Sequence, residues 1–166
     1  MASPQTHVVA PPAFVIGISA LADTKALAAA AAELAVTGDV IALAGALGSG
    51  KTTFARAFIR ALGGTEEIPS PTFNLVQVYD LPGVSVWHFD LYRLAAPRDG
   101  IELGLDEALA DGISLIEWPE RLGELLPDDR LDIALEAPAD APRRAGLTGR
   151  GSWSGRMATL AAQMGR

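Results

Sequence analysis

Residues 45 to 52 read Gly45-Ala46-Leu47-Gly48-Ser49-Gly50-Lys51-Thr52 and meet the pattern G-x-x-x-x-G-K-S/T at every specified position. Each specified residue type has a task at a phosphate. Glycines, lacking a Cβ, let the backbone N–H groups of a loop turn inward around a β-phosphate. A helix starting at about Lys51 would add partial positive charge at the same point. The Lys51 ammonium suits the space between a β- and a γ-phosphate, and the Thr52 hydroxyl is a hard oxygen for a magnesium ion that bridges them. Gly45, Ala46, Leu47, Gly48, Ser49, Gly50, Lys51, Thr52 and the adjoining Thr53 are the candidate nucleotide-binding residues.

A phosphate grip alone binds nucleotide; hydrolysis or transfer also needs a carboxylate to hold magnesium or orient the attacking group. Glu117 follows the apolar run Ile113-Ser114-Leu115-Ile116 and Asp90 follows Val84 to Phe89, so each is expected at the end of a strand. That is the sheet edge where ligands collect in open α/β folds. Either acid also fits a helix cap or a surface position. With Lys51, they are the candidate catalytic residues; Thr52 and Glu117 are the candidate metal ligands. Ser70-Pro71-Thr72 fits both a γ-phosphate sensor and an ordinary turn. Trp118 fits both a stacking platform and a packing lid. His88 alternates with Val86 and Val84 and reads as a strand residue with a satisfied hydrogen bond before it reads as a proton shuttle. Arg93 fits an ion pair or an approach to the phosphates.

These residues need elements to hold them. Phe14 to Ile18 reads as an edge strand, and Lys25 to Val36 as an alanine-rich helix capped by Asp23 or Thr24 and ended by Gly38. Val40 to Ala44 reads as a buried strand feeding the glycine loop, and Thr53 to Leu62 as a helix burying Phe54, Phe58 and Leu62 on one face. Thr72 to Tyr79 and Val84 to Phe89 form an expected hairpin about Leu81-Pro82-Gly83. Leu105 to Ala110 is an expected helix, Ile113 to Ile116, Leu131 to Leu135 and Ala145 to Thr148 are expected strands, and a last helix runs from about Gly155 to Met164. Strands interleaved with helices, some joined by hairpins, indicate an α/β fold: a single-domain P-loop NTPase with a mixed β-sheet flanked by helices. The division is a flexible lead-in at 1–12, the nucleotide-binding domain at 13–142 and a basic strand and helix tail at 143–166.

With 166 residues the chain has room for one core. It carries no cysteine and no apolar run long enough to span a membrane, and its first residues lack a secretory pattern, so a cytoplasmic location is expected. The formal charge is -7, yet residues 143–166 hold Arg143, Arg144, Arg150, Arg156 and Arg166 and no acid. The acidic remainder would repel a phosphate backbone. The tail fits a solvated terminus or a surface for a partner or RNA.

Taken in order, the glycine loop with Thr53-Phe54, then Ser70-Pro71-Thr72-Phe73, His88-Phe89-Asp90-Leu91-Tyr92-Arg93-Leu94, Glu102-Leu103-Gly104-Leu105 and Ile116-Glu117-Trp118-Pro119-Glu120-Arg121 resemble the motif series of the TsaE family, the ATPases of bacterial tRNA threonylcarbamoyladenosine biosynthesis. The likeness covers about residues 20 to 140. It implies ATP as the nucleotide, Lys51 on its phosphates, Thr52 and Glu117 on Mg2+, and Asp90 required for hydrolysis. It implies TsaB and TsaD as partners, with the threonylcarbamoyl transfer performed by TsaD and tRNA met indirectly or through the basic tail. Members commonly carry an acid after the first glycine of the loop, where this chain has Ala46. A small-molecule kinase and a nucleotide-gated binding module with little hydrolysis share the same loop and are the alternatives.

Overall fold

The computed structural model describes residues 13–65, 67–71 and 73–165. The proposed lead-in at 1–12, the possible sensor Thr72 and the terminal Arg166 lie outside them. Seven strands form one sheet: β1 (Phe14–Gly17), β2 (Val40–Ala44), β3 (Val76–Leu81), β4 (Val84–Asp90), β5 (Gly112–Glu117), β6 (Arg130–Glu136) and β7 (Arg144–Arg150). Their order is β1-β7-β6-β2-β5-β4-β3. The central strands β6, β2, β5 and β4 run parallel, and β3, β7 and β1 add antiparallel flanks. The mixed α/β sheet read from the sequence is the sheet observed.

Helices α1 (Leu21–Leu34), α2 (Lys51–Ala61) and α5 (Met157–Gln163) cover one face, while α3 (Asp99–Glu102) and α4 (Leu105–Asp111) belong to the other. Side chains alternate along a strand with period two, and the two cores divide accordingly. Ile41, Leu43, Val86, Ile113 and Leu115 join Leu27, Phe54, Phe58 and Leu160 on the first face. Val40, Phe89 and Ile116 join Leu105 and Ala108 on the second. The same parity sends His88 and Asp90 of β4 and Glu117 of β5 toward the face that carries α2. No helix among the described residues is long and apolar enough to cross a membrane.

Several local expectations shift. The first helix starts at Leu21, with Ala20 rather than Asp23 or Thr24 in the capping position. Asp23 serves from inside the first turn, its carboxylate accepting the Ala20 N–H at 2.9 Å. β3 begins at Val76, not at Thr72, because Leu75 takes φ 62° and its N–H bonds the Pro71 carbonyl at 2.8 Å, so the chain turns there. The expected terminal helix divides into a 3-10 segment at Gly151–Arg156 and α5, which starts at Met157.

The basic C-terminal stretch is built into the fold. β7 lies between β1 and β6, and Trp153 is fully buried in the first core. Arg144 pairs with Glu136 and Arg150 with Asp132. Arg156 bonds both carboxylate oxygens of Asp39, at 2.6 and 2.9 Å, and the Leu34 carbonyl at 2.9 Å. A solvated terminus does not describe Arg156, whose charge meets a buried acid of the same chain, while Arg144 and its partner Glu136 are both exposed.

Candidate functional site

The glycine loop joins the C-terminal end of β2 to the first residue of α2. Two glycines show why the residue type matters. At Gly45, φ is 150° and a Cβ would stand 2.4 Å from Ser49 Oγ and 2.5 Å from the Leu135 carbonyl, so no larger residue fits without moving the loop. At Gly50, which precedes α2, φ is 106°, in the region L side chains rarely adopt. The result is a tight turn that delivers the helix start, with its unpaired N–H groups, at the mouth of a cavity.

That cavity, about 580 Å³, is lined by Leu47, Gly48, Gly50, Lys51, Thr52 and Thr53 from the loop and helix, and by Asp90, Glu117, Trp118, Tyr92, Arg93 and Arg143 from elsewhere. The candidate catalytic residues Lys51, Asp90 and Glu117 thus meet at one place, as do Thr52 and Glu117. Gly45 and Ala46 lie instead along a neighbouring depression with Leu135 and Pro138. Ser49 is buried beneath the loop.

Glu117 ends β5 directly opposite Asp90, which ends β4. Although only 2% exposed, Glu117 is held at both carboxylate oxygens: the Thr52 hydroxyl donates to Oε1 at 2.8 Å, and His88 Nε2 lies 2.6 Å from Oε2. Asp90 is also buried and accepts the Tyr92 N–H at 3.2 Å. The readings of the two acids as helix caps or surface residues do not describe these positions.

Lys51 donates from Nζ to the carbonyls of Gly45 at 2.7 Å and Ala46 at 2.9 Å. The same ammonium stands 4.2 Å above the Trp118 ring, which packs against Tyr92 with centroids 4.8 Å apart. Burial pushes the Lys51 ammonium below its ordinary pKa, and Glu117, Asp90 and Glu120 act against that shift. Trp118 is held with φ 58°, ψ 52°, an uncommon backbone conformation for a bulky residue and a marker of local strain.

The donor set suits a magnesium nucleotide. Magnesium prefers oxygen ligands and is usually held by one or two protein carboxylates together with substrate phosphates. Thr52 and Glu117 place a hydroxyl and a carboxylate in contact at the start of α2.

Tyr92 carried no assigned place at the loop, and Arg143 stood only among the tail arginines open as a source of positive charge at the phosphates; both line the cavity, and Arg143 donates to the Gly48 carbonyl at 3.4 Å. Trp118 lines the cavity while packing against Tyr92, the second core and the Lys51 ammonium. Ser70 and Arg93 also line the cavity, and Arg93 stacks on the exposed Phe73 ring. The legible signal for His88 was its alternation with Asp90, which puts both on the face where Glu117 emerges.

Comparison with known proteins gives a consistent result. A family model described as "Threonylcarbamoyl adenosine biosynthesis protein TsaE" matches residues 18–145. The chain is 41% identical over 127 residues to the tRNA threonylcarbamoyladenosine biosynthesis protein TsaE of Rickettsia bellii, covering 76% of this chain and 88% of that protein. It is 38% identical over 131 residues to the TsaE protein of Bacillus subtilis, covering 78% and 82%. Among solved structures, that of Bacillus subtilis YdiB is similar with a TM-score of 0.73 and 32% identity, covering 92% of this chain and 94% of that one.

Proposed function

This chain belongs to the TsaE family, and on that premise we propose that it is a magnesium-dependent ATPase supporting tRNA threonylcarbamoyladenosine synthesis by TsaB and TsaD. The observation that carries the reading is the 2.8 Å bond between Thr52 and Glu117 at the foot of the glycine loop. It joins the residue expected to meet magnesium at the start of the helix to the acid expected to meet it from the sheet.

The roles follow from the positions. The loop N–H groups and the start of α2 bind the phosphates. Lys51 exchanges the Gly45 and Ala46 carbonyls for phosphate oxygens, stronger acceptors because they are charged. Thr52 and Glu117 would hold magnesium, directly or through water, and the ion would supply positive charge to the phosphates. Asp90, beside Glu117 on the adjacent strand, orients the attacking water. The chain does not itself transfer the threonylcarbamoyl group. Loss of the γ-phosphate removes an acceptor from Lys51, and the partners are expected to distinguish the two nucleotide states.

The test is retention of this protein on immobilised TsaB and TsaD in ATP, in ADP and without nucleotide. Retention that changes with the nucleotide supports the reading. No retention overturns the partnership, and equal retention in all three overturns its dependence on nucleotide. A kinase would be revealed by phosphate appearing on an acceptor instead of in solution.

A further inference from the structure

We propose that His88 is a positioning residue for Glu117, fixing the rotation of its carboxylate so that Oε1 meets Thr52. This rests on the reading of Glu117 as the acid that faces magnesium. β4 and β5 are adjacent and parallel, with Asp90 opposite Glu117 and His88 opposite Leu115. His88 therefore sits two residues before Asp90 on the same face, deeper in the molecule and fully buried. From there its Nε2 reaches Glu117 Oε2 at 2.6 Å while Thr52 takes Oε1 at 2.8 Å.

The other ring nitrogen decides which way the hydrogen bond runs. His88 Nδ1 is buried and has no hydrogen-bond partner among the described residues. A proton on Nδ1 would be a buried N–H without an acceptor, and moving the sole proton there would also set the Nε2 lone pair against a carboxylate oxygen. The proton belongs on Nε2, and Nε2–H donates to Glu117. Held at Oε2 by that N–H, the carboxylate keeps Oε1 turned toward Thr52. The orphaned Nδ1 acceptor is the structural cost of that arrangement, and a leucine would avoid it only by leaving Glu117 Oε2 buried without a donor.

Two measurements on the full chain test this. The first is two-bond 15N–1H correlation of the metal-free wild-type protein, which has only two histidines; the signal removed by His88→Gln is that of His88. A proton on Nε2 is expected, and an Nδ1–H tautomer, which cannot donate to Glu117, overturns the proposal. The second titrates magnesium against binding of fluorescent mant-ATP in wild type, His88→Leu and His88→Gln. His88→Leu should raise the magnesium midpoint by about 10- to 100-fold, the usual loss when a group supporting a metal ligand is removed. Its mant-ATP affinity in EDTA should stay at the wild-type value. His88→Gln, whose amide can donate from nearly the same place, should restore the midpoint. An unmoved midpoint in His88→Leu, or a glutamine variant as impaired as the leucine one, overturns the proposal, and if His88→Leu does not fold the glutamine variant and the tautomer still decide it. A wild-type protein whose mant-ATP binding ignores magnesium overturns the ATPase reading and this inference with it. A magnesium-responsive wild type matched by His88→Leu overturns this inference alone.

Discussion

Lys51 carries the balance of the site in one side chain. Its ammonium is buried against Trp118 and two loop carbonyls, and its pKa is lowered by burial despite three acids nearby. Phosphate binding requires the charged form, so mant-ATP affinity should begin to fall at a pH below the ordinary lysine range. Stability responds with the opposite sign. Between the lowered pKa and the ordinary value, the unfolded chain holds a proton that the folded protein has lost, so the Lys51 contribution to stability rises with pH in that window. The difference in stability between wild type and Lys51→Met should therefore shift in favour of wild type as pH rises, measured by urea unfolding; a shift the other way would contradict the burial argument. Lys51→Ala removes bonds to charged oxygens worth roughly 1.5–3 kcal/mol each, so mant-ATP affinity should drop by about tenfold or more. Wild-type affinity in that variant would remove Lys51 from the site. Glu117→Ala should raise the magnesium requirement of hydrolysis more than it weakens nucleotide binding in EDTA, and equal losses would make Glu117 structural.

At the scale of elements, the site is assembled where two parallel strand ends meet a helix start. The glycine loop makes that meeting possible, and Gly45 is its tightest point. Gly45→Ala would force a Cβ against Ser49 and the Leu135 carbonyl with φ at 150°, a strain of about 1–3 kcal/mol before any clash is counted. Its melting temperature should fall, and mant-ATP binding should weaken more than in a Gly155→Ala control, where a Cβ meets nothing within 4 Å. Much of this assembly was legible in the sequence. Apolar runs bounded by glycine or an acid marked β2, β4 and β5, since a strand buried on both faces has little choice of composition. Glu117 and Asp90 were readable because they end such runs. The His88 and Trp118 contacts were not, because they depend on how strands β4 and β5 and the loop are aligned in space, which no local pattern records. The late start of β3 was hidden for a related reason: Thr72 to Tyr79 has strand composition, but Leu75 at φ 62° turns the chain first.

For the molecule as a whole, the C-terminal segment closes the sheet and ties it to α1. Arg156 spans that closure with two bonds to Asp39, one to the Leu34 carbonyl and a stack on Trp153, 4.1 Å from its ring. Asp39 is 7% exposed at its side chain and Arg156 20%, so deleting the arginine leaves a mostly buried acid without its cation. Arg156→Ala should cost about 2 kcal/mol, a fall of roughly 4–8 °C in melting temperature for a chain of this length. Nucleotide affinity should not change, because the clamp is remote from the glycine loop in the fold; a loss of affinity at temperatures where the variant is folded would argue that the two are coupled. The arginine-rich composition that suggested a tail is thus compatible with a structural role, which composition alone could not distinguish from an RNA-binding one. The central claim concerns the opposite end of β2, where the loop, Asp90 and Glu117 make one catalytic unit. Its most direct test is phosphate release from MgATP by wild type and Asp90→Asn, alone and with TsaB and TsaD. The account predicts release by wild type that rises when the partners are added, and its loss in Asp90→Asn while mant-ATP still binds. No release by wild type under any of these conditions, or an undiminished rate in Asp90→Asn, would contradict it.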